Sequence, residues 1–450
     1  MVIEYHWVME MLPLLLNGPT KVVRDAARAV KRTANLMMQR VTAETLNILL
    51  GLPGMVVTEY ALERQGEQEV LHIFCHSEHE VAMCPRCGQF SDVLHEQEER
   101  CIRHLDIWGK ATYVHFPSRR FDCKHCKKPF TESLSWVESK RRESTAYELH
   151  VYEQCQHMDQ AAVAERERLH SETVKDIFQR WARRAEKQQR FTLVHCLGVD
   201  EISLRKGHQQ FALVLSDLER HCVIAVLPER TQKAFESWLA GLGDGERQSI
   251  RLVAMDMWGP YRGVVRSKLP HAQIVADRFH VTKQLNDALA KIRRLLQSKA
   301  DHASYELLKG IRWILVRRRE ELKPEEEAKL RAALDAFPEL RTAYLLKERF
   351  VAIADKIQDR SQAERFLRAW VYEAQSSGLV QLVKFTQTLQ HWWEEFLNYF
   401  NEGFTSAVVE GLNNAIRGTI RRAYGYHVFE HFRLHVLVEH GNLPDPLPQI

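Results

Sequence analysis

Four cysteines and three widely separated acids carry the chemistry of this 450-residue chain. Cys84-Pro-Arg-Cys87-Gly88 and Cys123-Lys-His-Cys126 are two CxxC turns. Each such turn lets two thiolates converge on one ion, and two turns complete the closed tetrahedral shell of a structural zinc. One Zn2+ on Cys84, Cys87, Cys123 and Cys126 is the expectation. The segment between the turns is longer than in a compact ribbon, but its strand-like stretches CIRHLDIWG and ATYVHFP can fold as a hairpin that returns the second turn to the first. Two unrelated buried cysteine pairs are the competing reading. His95, Cys101, His104 and His125 are spare donors, not needed once four thiolates are present. Arg86, Lys124, Lys127 and Lys128 flank the turns, where they can offset the formally dianionic centre and contact phosphate.

The acids suggest a different metal chemistry. Asp200 ends the apolar stretch LVHCLGVD and Asp256 ends IRLVAMD. Carboxylates at the tips of adjacent strands can share two Mg2+ (or Mn2+) ions, which activate the attacking oxygen and stabilise the leaving one in phosphodiester chemistry. Glu410 is the third expected ligand, on a helix. Asn414, Arg417 and Arg421 follow it at helical spacing, so one face carries a metal ligand and groups suited to a phosphate backbone. Asp277 ends a further apolar stretch, AQIVAD, and opens Asp277-Arg-Phe-His280. It is the alternative second aspartate; otherwise Asp277 and His280 support the site or touch substrate. Glu201 points away from Asp200 on a continuing strand and reads as structural.

These residues need elements to hold them. Residues 1–54 read as a helical extension broken at Gly51-Leu-Pro-Gly54. Residues 55–138 are strand-like and contain both CxxC turns, a zinc-ribbon domain. Residues 139–190 read as helices over Thr145–Gln156, Asp159–Leu169 and Ser171–Gln188, with Ser171 as the N-cap of the last. The last two fit a helix-turn-helix, and an ordinary helical hairpin fits them as well. Val174, Ile177, Phe178 and Trp181 would then face the core. Lys175, Gln179, Arg180, Arg183 and Arg184 would face DNA. Residues 191–284 read as three strands, a helix, a strand, a helix and a strand, a mixed α/β sheet. Residues 285–400 are helical throughout, and 401–450 return to the helix of Glu410.

Composition sets the outer bounds. The chain is long enough for several domains. A net charge of +4, from 63 basic and 59 acidic residues, is uninformative by itself. Its distribution says more, since Arg and Lys cluster at 119–120, 124–128, 183–184, 317–319 and 417–422, the footprint of a polyanion partner. Nine cysteines do not describe a disulfide scaffold. The opening segment lacks a basic start and contains Glu4 and Glu10, and no stretch has the length of a membrane span. The expectation is a bacterial cytoplasmic, nucleoid-associated protein with no membrane partner.

Assembled, these motifs resemble the DDE transposases of the bacterial insertion-sequence family written ISL-three. The likeness runs from about residue 50 to 440. It rests on CPRCG with CKHC, GVDEISLRKGHQQF, MDMWGPYRGVV, ADRFHV and VVEGLNNAIRGTIRRAYGYHVFEHFRLHVL. The resemblance implies a multidomain α+β chain: zinc ribbon, helix-turn-helix and a ribonuclease-H-like catalytic core with an all-helical insertion before the Glu410 helix. In such a sheet the second catalytic carboxylate comes from the fourth strand, which favours Asp256. The resemblance also implies double-stranded DNA with terminal inverted repeats and target DNA as substrates, and a homodimer on that DNA. Water cuts a strand to free a 3′-hydroxyl, which then attacks the target. A nuclease of the same fold without strand transfer and a non-catalytic DNA-binding regulator are the rival readings.

Overall fold

The computed structural model describes residues 43–66, 68–189, 193–204, 210–400 and 407–446. The expected helical extension over 1–54 lies largely outside them; within them is α1 (Ala43–Leu50). The chain divides into two compact units, Met1–Trp181 with Pro446–Ile450, and Ala182–Asp445.

In the first unit, β1 (Met55–Gln65), β2 (Gln68–Ser77), β5 (Leu94–Ile107) and β6 (Lys110–Asp122) form a sheet in the order β1-β2-β6-β5. A short β7 (Pro129–Thr131) pairs with β6, and β3 (Ala82–Met83) pairs with β4 (Phe90–Ser91). Alternate residues Leu71, Ile73 and Cys75 of β2 point into a core with Ile102, Val114, Phe116 and Trp136, the period-two pattern of a sheet buried on one face. The β5–β6 hairpin turns at Trp108 and Gly109, both at positive φ (53° and 71°), as a tight two-residue turn requires.

Three helices follow. α2 (Thr145–His157) is capped by Ser144, whose hydroxyl accepts from Tyr147 N at 3.2 Å. α3 (Gln160–Glu167) is capped by Asp159 and ends on Arg168 in the left-handed region. α4 spans Ser171–Gln188. Here the expected cap is corrected: Ser171 is already helical, and the His170 ring accepts from Glu172 N at 3.3 Å in its place. Val174, Ile177, Phe178 and Trp181 are buried, as the apolar spacing predicts.

The second unit is built on β8 (Cys196–Ser203), β9 (Phe211–Asp217), β10 (Cys222–Leu227), β11 (Leu252–Met255) and β12 (Gln273–Ala276), in the order β10-β9-β8-β11-β12. The first three are antiparallel; β11 runs parallel to both β8 and β12. α5 (Gln232–Gly241), α6 (Asp244–Ser249) and α7 (Gly259–Lys268) make the intervening connections. Phe235, Leu239, Tyr261, Val264 and Val265 pack on Leu197, Val199, Leu213 and Leu215. On the opposite face, α15 (Ala407–Arg422) and α16 (Phe429–His440) contribute Ile416, Phe432 and Val436 against Ile202, Ala212 and Val214. Covering on both faces explains why these strands read as continuous apolar runs. Gly198 is obligatory at the centre of β8, because a Cβ there would sit 2.5 Å from Ser216 Oγ and 2.7 Å from Leu218 Cδ2.

Between β12 and α15 lies a helical body: α8 (Arg278–Gln297), α9 (His302–Lys309), α10 (Pro324–Ala336), α11 (Pro338–Lys356), α12 (Arg360–Ser376), α13 (Val380–His391) and α14 (Trp393–Leu397). Its core joins Leu285, Leu289, Leu340, Phe350, Trp370 and Phe385.

In the first unit, His104 is buried and its Nδ1 lies 2.7 Å from Ser144 Oγ, tying β5 to the cap of α2. Burial, then the Arg103 charge, push its pKa from 6.5 down to about 4. Between those values the unfolded chain takes up a proton that the folded chain refuses, so stability must fall as pH drops through this window. The loss approaches about 3 kcal/mol. Thermal unfolding from pH 7 to 4.5 should show a shallower pH dependence for His104→Gln than for the native chain; equal slopes would mean His104 is not held neutral.

Candidate active site and zinc centre

The two CxxC turns are near-copies of each other. Gly88 N donates to Cys84 O at 2.9 Å and Lys127 N to Cys123 O at 2.9 Å. Gly88 and Lys127, each just past its second cysteine, have φ of 72° and 54°. The β5–β6 hairpin carries Cys123 back to the first turn, and Phe121 and Phe130 pack beneath. The four thiol sulfurs all lie within 4.8 Å of one another, and Cys87 Sγ is 3.6 Å from Cys123 Sγ. A zinc–sulfur bond of about 2.3 Å implies a tetrahedral edge near 3.8 Å, so the set fits the ion. Amide hydrogen bonds, first from Cys126 N, lower the Cys123 thiol pKa to about 6, which favours the ligating thiolate. Among the described residues this is the one group of three or more such donors so closely gathered. Three of the four spare donors are engaged elsewhere: His95 with Asp122, His104 with Ser144, and Cys101 near His115. Arg86 does not reach outward for phosphate. Its guanidinium donates to Lys128 O and Pro129 O at 2.9 and 3.0 Å, lashing one turn to the other.

On α4, Lys175, Gln179 and Arg183 lie on the less buried side, and Arg184 is half-buried. Arg180 departs from expectation. Its side chain is only 17% exposed and donates to Glu148 at 2.5 Å and Glu138 at 3.2 Å. Glu148 is buried and also accepts from Trp181 Nε1 at 3.0 Å. A buried carboxylate must be paired, and that demand turns Arg180 inward.

In the second unit, the parallel register sets Met255 opposite Val199 and also opposite Ala276. The next residues, Asp256, Asp200 and Asp277, therefore stand at one level on three neighbouring strands. Asp200 Oδ1 accepts from Glu201 N at 2.7 Å, and Oδ2 from Asn413 Nδ2 at 2.5 Å. Burial raises its pKa, opposed by the charge of His280. Asp256 Oδ1 accepts from Met257 N at 2.6 Å, and its side chain is 44% exposed. Asp277 is 8% exposed and already committed: Oδ1 caps α8 through Phe279 N at 2.8 Å, and Oδ2 lies 3.2 Å from His280 Nδ1. His280 stands 4.0 Å from Asp256. Burial disfavours its protonation, but the Asp277 hydrogen bond and the charges of Asp256 and Asp200 outweigh it, and its pKa is raised. Glu201 faces away, accepting from Arg230 at 3.0 Å and Tyr261 at 3.3 Å, as its strand position predicts.

α15 lays Val409, Asn413 and Ile416 inward and Glu410, Asn414, Arg417 and Arg421 outward. Arg417 donates to Asn414 Oδ1 at 2.9 Å. Asn413, not Asn414, reaches Asp200, and sequence reasoning missed it. The apolar spacing Val409–Leu412–Ile416 was the signal that position 413 turns inward.

A ribbon with four thiolates, a three-helix segment and a sheet edge bearing aligned aspartates fall in three stretches that match transposase domains. Residues 197–436 match the DDE ISL3 family profile, described as transposase. Residues 80–126 match the zinc finger of the IS204/IS1001/IS1096/IS1165 transposases, and 132–182 the helix-turn-helix domain of transposase family ISL3. The chain belongs to the ISL3 transposase family. It is 28% identical to the transposase for insertion sequence element IS1001 of Bordetella parapertussis over 384 residues, covering 84% of this chain and 94% of that one. The transposase for IS1557 of Mycobacterium tuberculosis (strain ATCC 25618 / H37Rv) is 24% identical over 370 residues, covering 76% and 82%. No helix among the described residues is long and apolar enough to cross a membrane.

Two outcomes follow from this geometry. Cys84→Ser or Cys123→Ser should reduce bound zinc from about one ion per chain to near none, while Cys101→Ser retains it, read by metal analysis of the purified chain. Arg180→Ala should cost about 3–5 kcal/mol of stability by stranding Glu148. Lys175→Ala, on the less buried side, should change stability by no more than about 0.5 kcal/mol, both variants being read by denaturant titration.

Proposed function

We propose that this transposase cuts the terminal inverted repeats of its insertion sequence and joins the freed ends to target DNA at a site made by Asp200, Asp256 and Glu410. The observation that carries the reading is the level alignment of Asp200 and Asp256 on adjacent parallel strands, with the Glu410 helix bonded to Asp200 through Asn413. Strand order also supports a ribonuclease-H-like core: the aspartates belong to the first and fourth strands, which lie side by side. In this reading residues 191–284 and 401–450 form the core, 285–400 its insertion, 55–138 the zinc ribbon and 139–190 the helix-turn-helix.

Hard carboxylate oxygens on neighbouring elements suit Mg2+ or Mn2+, so the donor set fits two divalent ions held by Asp200, Asp256 and Glu410. Such ions, when bound, supply Lewis-acid activation of the attacking oxygen and stabilisation of the leaving one. The chain's own residues do the rest. Asn413 and the Glu201 amide each hold one oxygen of Asp200 and so fix its orientation. His280, whose pKa the neighbouring acids raise against its burial, stands between the carboxylates and spaces them. Asp277 is better suited to orienting His280 and capping α8 than to ligation, because it is nearly closed to solvent with both oxygens held by α8, whereas Asp256 is 44% exposed. Lys175, Gln179, Arg183 and Arg184 on α4, with Asn414, Arg417 and Arg421 on α15, contact DNA; Arg180 is withdrawn from that set. Paired ends call for a homodimer on double-stranded DNA, in the cytoplasm and on the nucleoid.

Cleavage of a duplex end and joining of a pre-cleaved end, assayed separately, test this. Asp200→Asn, Asp256→Asn and Glu410→Gln should each abolish both activities. Asp277→Asn should lower them about 10- to 100-fold, as loss of an orienting group does. An active Asp256→Asn beside a dead Asp277→Asn would exchange their roles, and cleavage without joining would make the chain a nuclease only.

A further inference from the structure

Beside Glu410 lies a cavity of about 370 Å³ that the carboxylate chemistry does not use. Its wall includes Phe279, Asn286, Arg278 and Arg318 as well as Glu410. Phe279 is 45% exposed although it stands two residues past Asp277, in the first turn of α8. Apolar rings at such a position ordinarily turn into the core, and neighbouring Val281 and Leu285 do so. Asn286, two turns further along the same helix, has a carboxamide oxygen shielded from solvent and without a hydrogen-bond partner. An orphaned acceptor of this kind costs stability, about 1–3 kcal/mol, unless something supplies a donor. Arg278 and Arg318 both lean on one carboxylate, Asp355, with Arg318 at 3.0 Å. With Glu410 engaged at the reaction centre, two guanidinium groups face the one remaining carboxylate of that wall and have charge for a phosphate. Lys347 also lines the space but is spent on Arg317 O at 3.0 Å.

An exposed ring, an unsatisfied carbonyl oxygen and surplus guanidinium charge are the three demands of a nucleotide: stacking, a partner for an amino group on the base edge, and a phosphate contact. The volume falls in the range of pockets that enclose small ligands. Resting on the reading of Glu410 as part of the reaction centre, we infer that this cavity receives one unstacked nucleotide of the DNA end beside the cut. Phe279 stacks on the base, Asn286 accepts from its exocyclic amine through a side-chain rotation that brings Oδ1 into the cavity, and Arg318 meets the adjoining phosphate. Unstacking one nucleotide turns the strand out of the duplex and fixes which phosphate stands at the carboxylates. Phe279, Asn286 and Arg318 are thereby positioning residues for the cut.

The test couples protein and base. Cleavage rates are measured on duplexes carrying the element's own terminal repeat, either intact or with a single abasic site placed in turn at each nucleotide around the cut. Native chain and Phe279→Leu are compared, with thermal midpoints confirming that the variant is folded. On intact ends Phe279→Leu should be slower by about 5- to 150-fold, the span that aromatic stacking on one base supplies. At one position the abasic end should erase that difference, so that native and Phe279→Leu cut it at the same rate. A Phe279→Leu defect equal on intact and abasic ends at every position would overturn the proposal. Asp200→Asn on the same duplexes separates the two readings: if it still cuts, the reaction centre is misassigned, whereas a dead Asp200→Asn without coupling removes the nucleotide pocket alone.

Discussion

Three carboxylates at one edge of a sheet repel one another, and burial makes that repulsion more costly than it is in water. The second unit is organised around this constraint. Parallel pairing of β11 with β8 and β12 forces Asp256, Asp200 and Asp277 to one level. Counter-groups then come from both sides: His280 from the first turn of α8, Asn413 from α15, and backbone amides at each aspartate. The site is thus a poised cluster of negative charge, partly offset and open at Asp256. That arrangement suits cations and would be a poor way to stabilise a fold.

The first unit solves a different problem. The segment joining the two CxxC turns to the sheet has a small core of Phe121, Phe130 and the cysteines themselves. Such a patch is too small to order two turns alone, and a metal cross-link provides what burial cannot. Arg86 bridging the turns and the matched left-handed residues Gly88 and Lys127 show backbone and side chains already shaped to that link.

Much of this was legible in advance. The zinc ligands follow from residue type and spacing, because a CxxC turn is a local structure and needs no distant partner to be recognised. Asp256 and Asp277 directly follow strands, as apolar runs ending in an acid suggest, but Asp200 lies inside β8, which runs on to Ser203 by pairing with β9. α4 begins at the residue expected, although His170 rather than Ser171 meets its free amides. What failed did so for non-local reasons. Arg180 sits among charged neighbours at helical spacing and reads as exposed; only the buried Glu148 of another helix explains why it faces inward. Arg86 is likewise claimed by carbonyls far away in the chain.

The sequence by itself determined the family and the four thiolates, since these depend on residue chemistry and short spacings. Tertiary structure alone decided how the acids differ. Asp256 and Asp277 both follow short apolar strands and look equivalent along the chain, yet one keeps an open carboxylate while the other spends both oxygens on α8. The choice of Asn413 over Asn414, and the pocket that Phe279 opens beside Glu410, are likewise facts of packing. Each depends on which face of a helix another element covers, and that is settled only when distant segments meet.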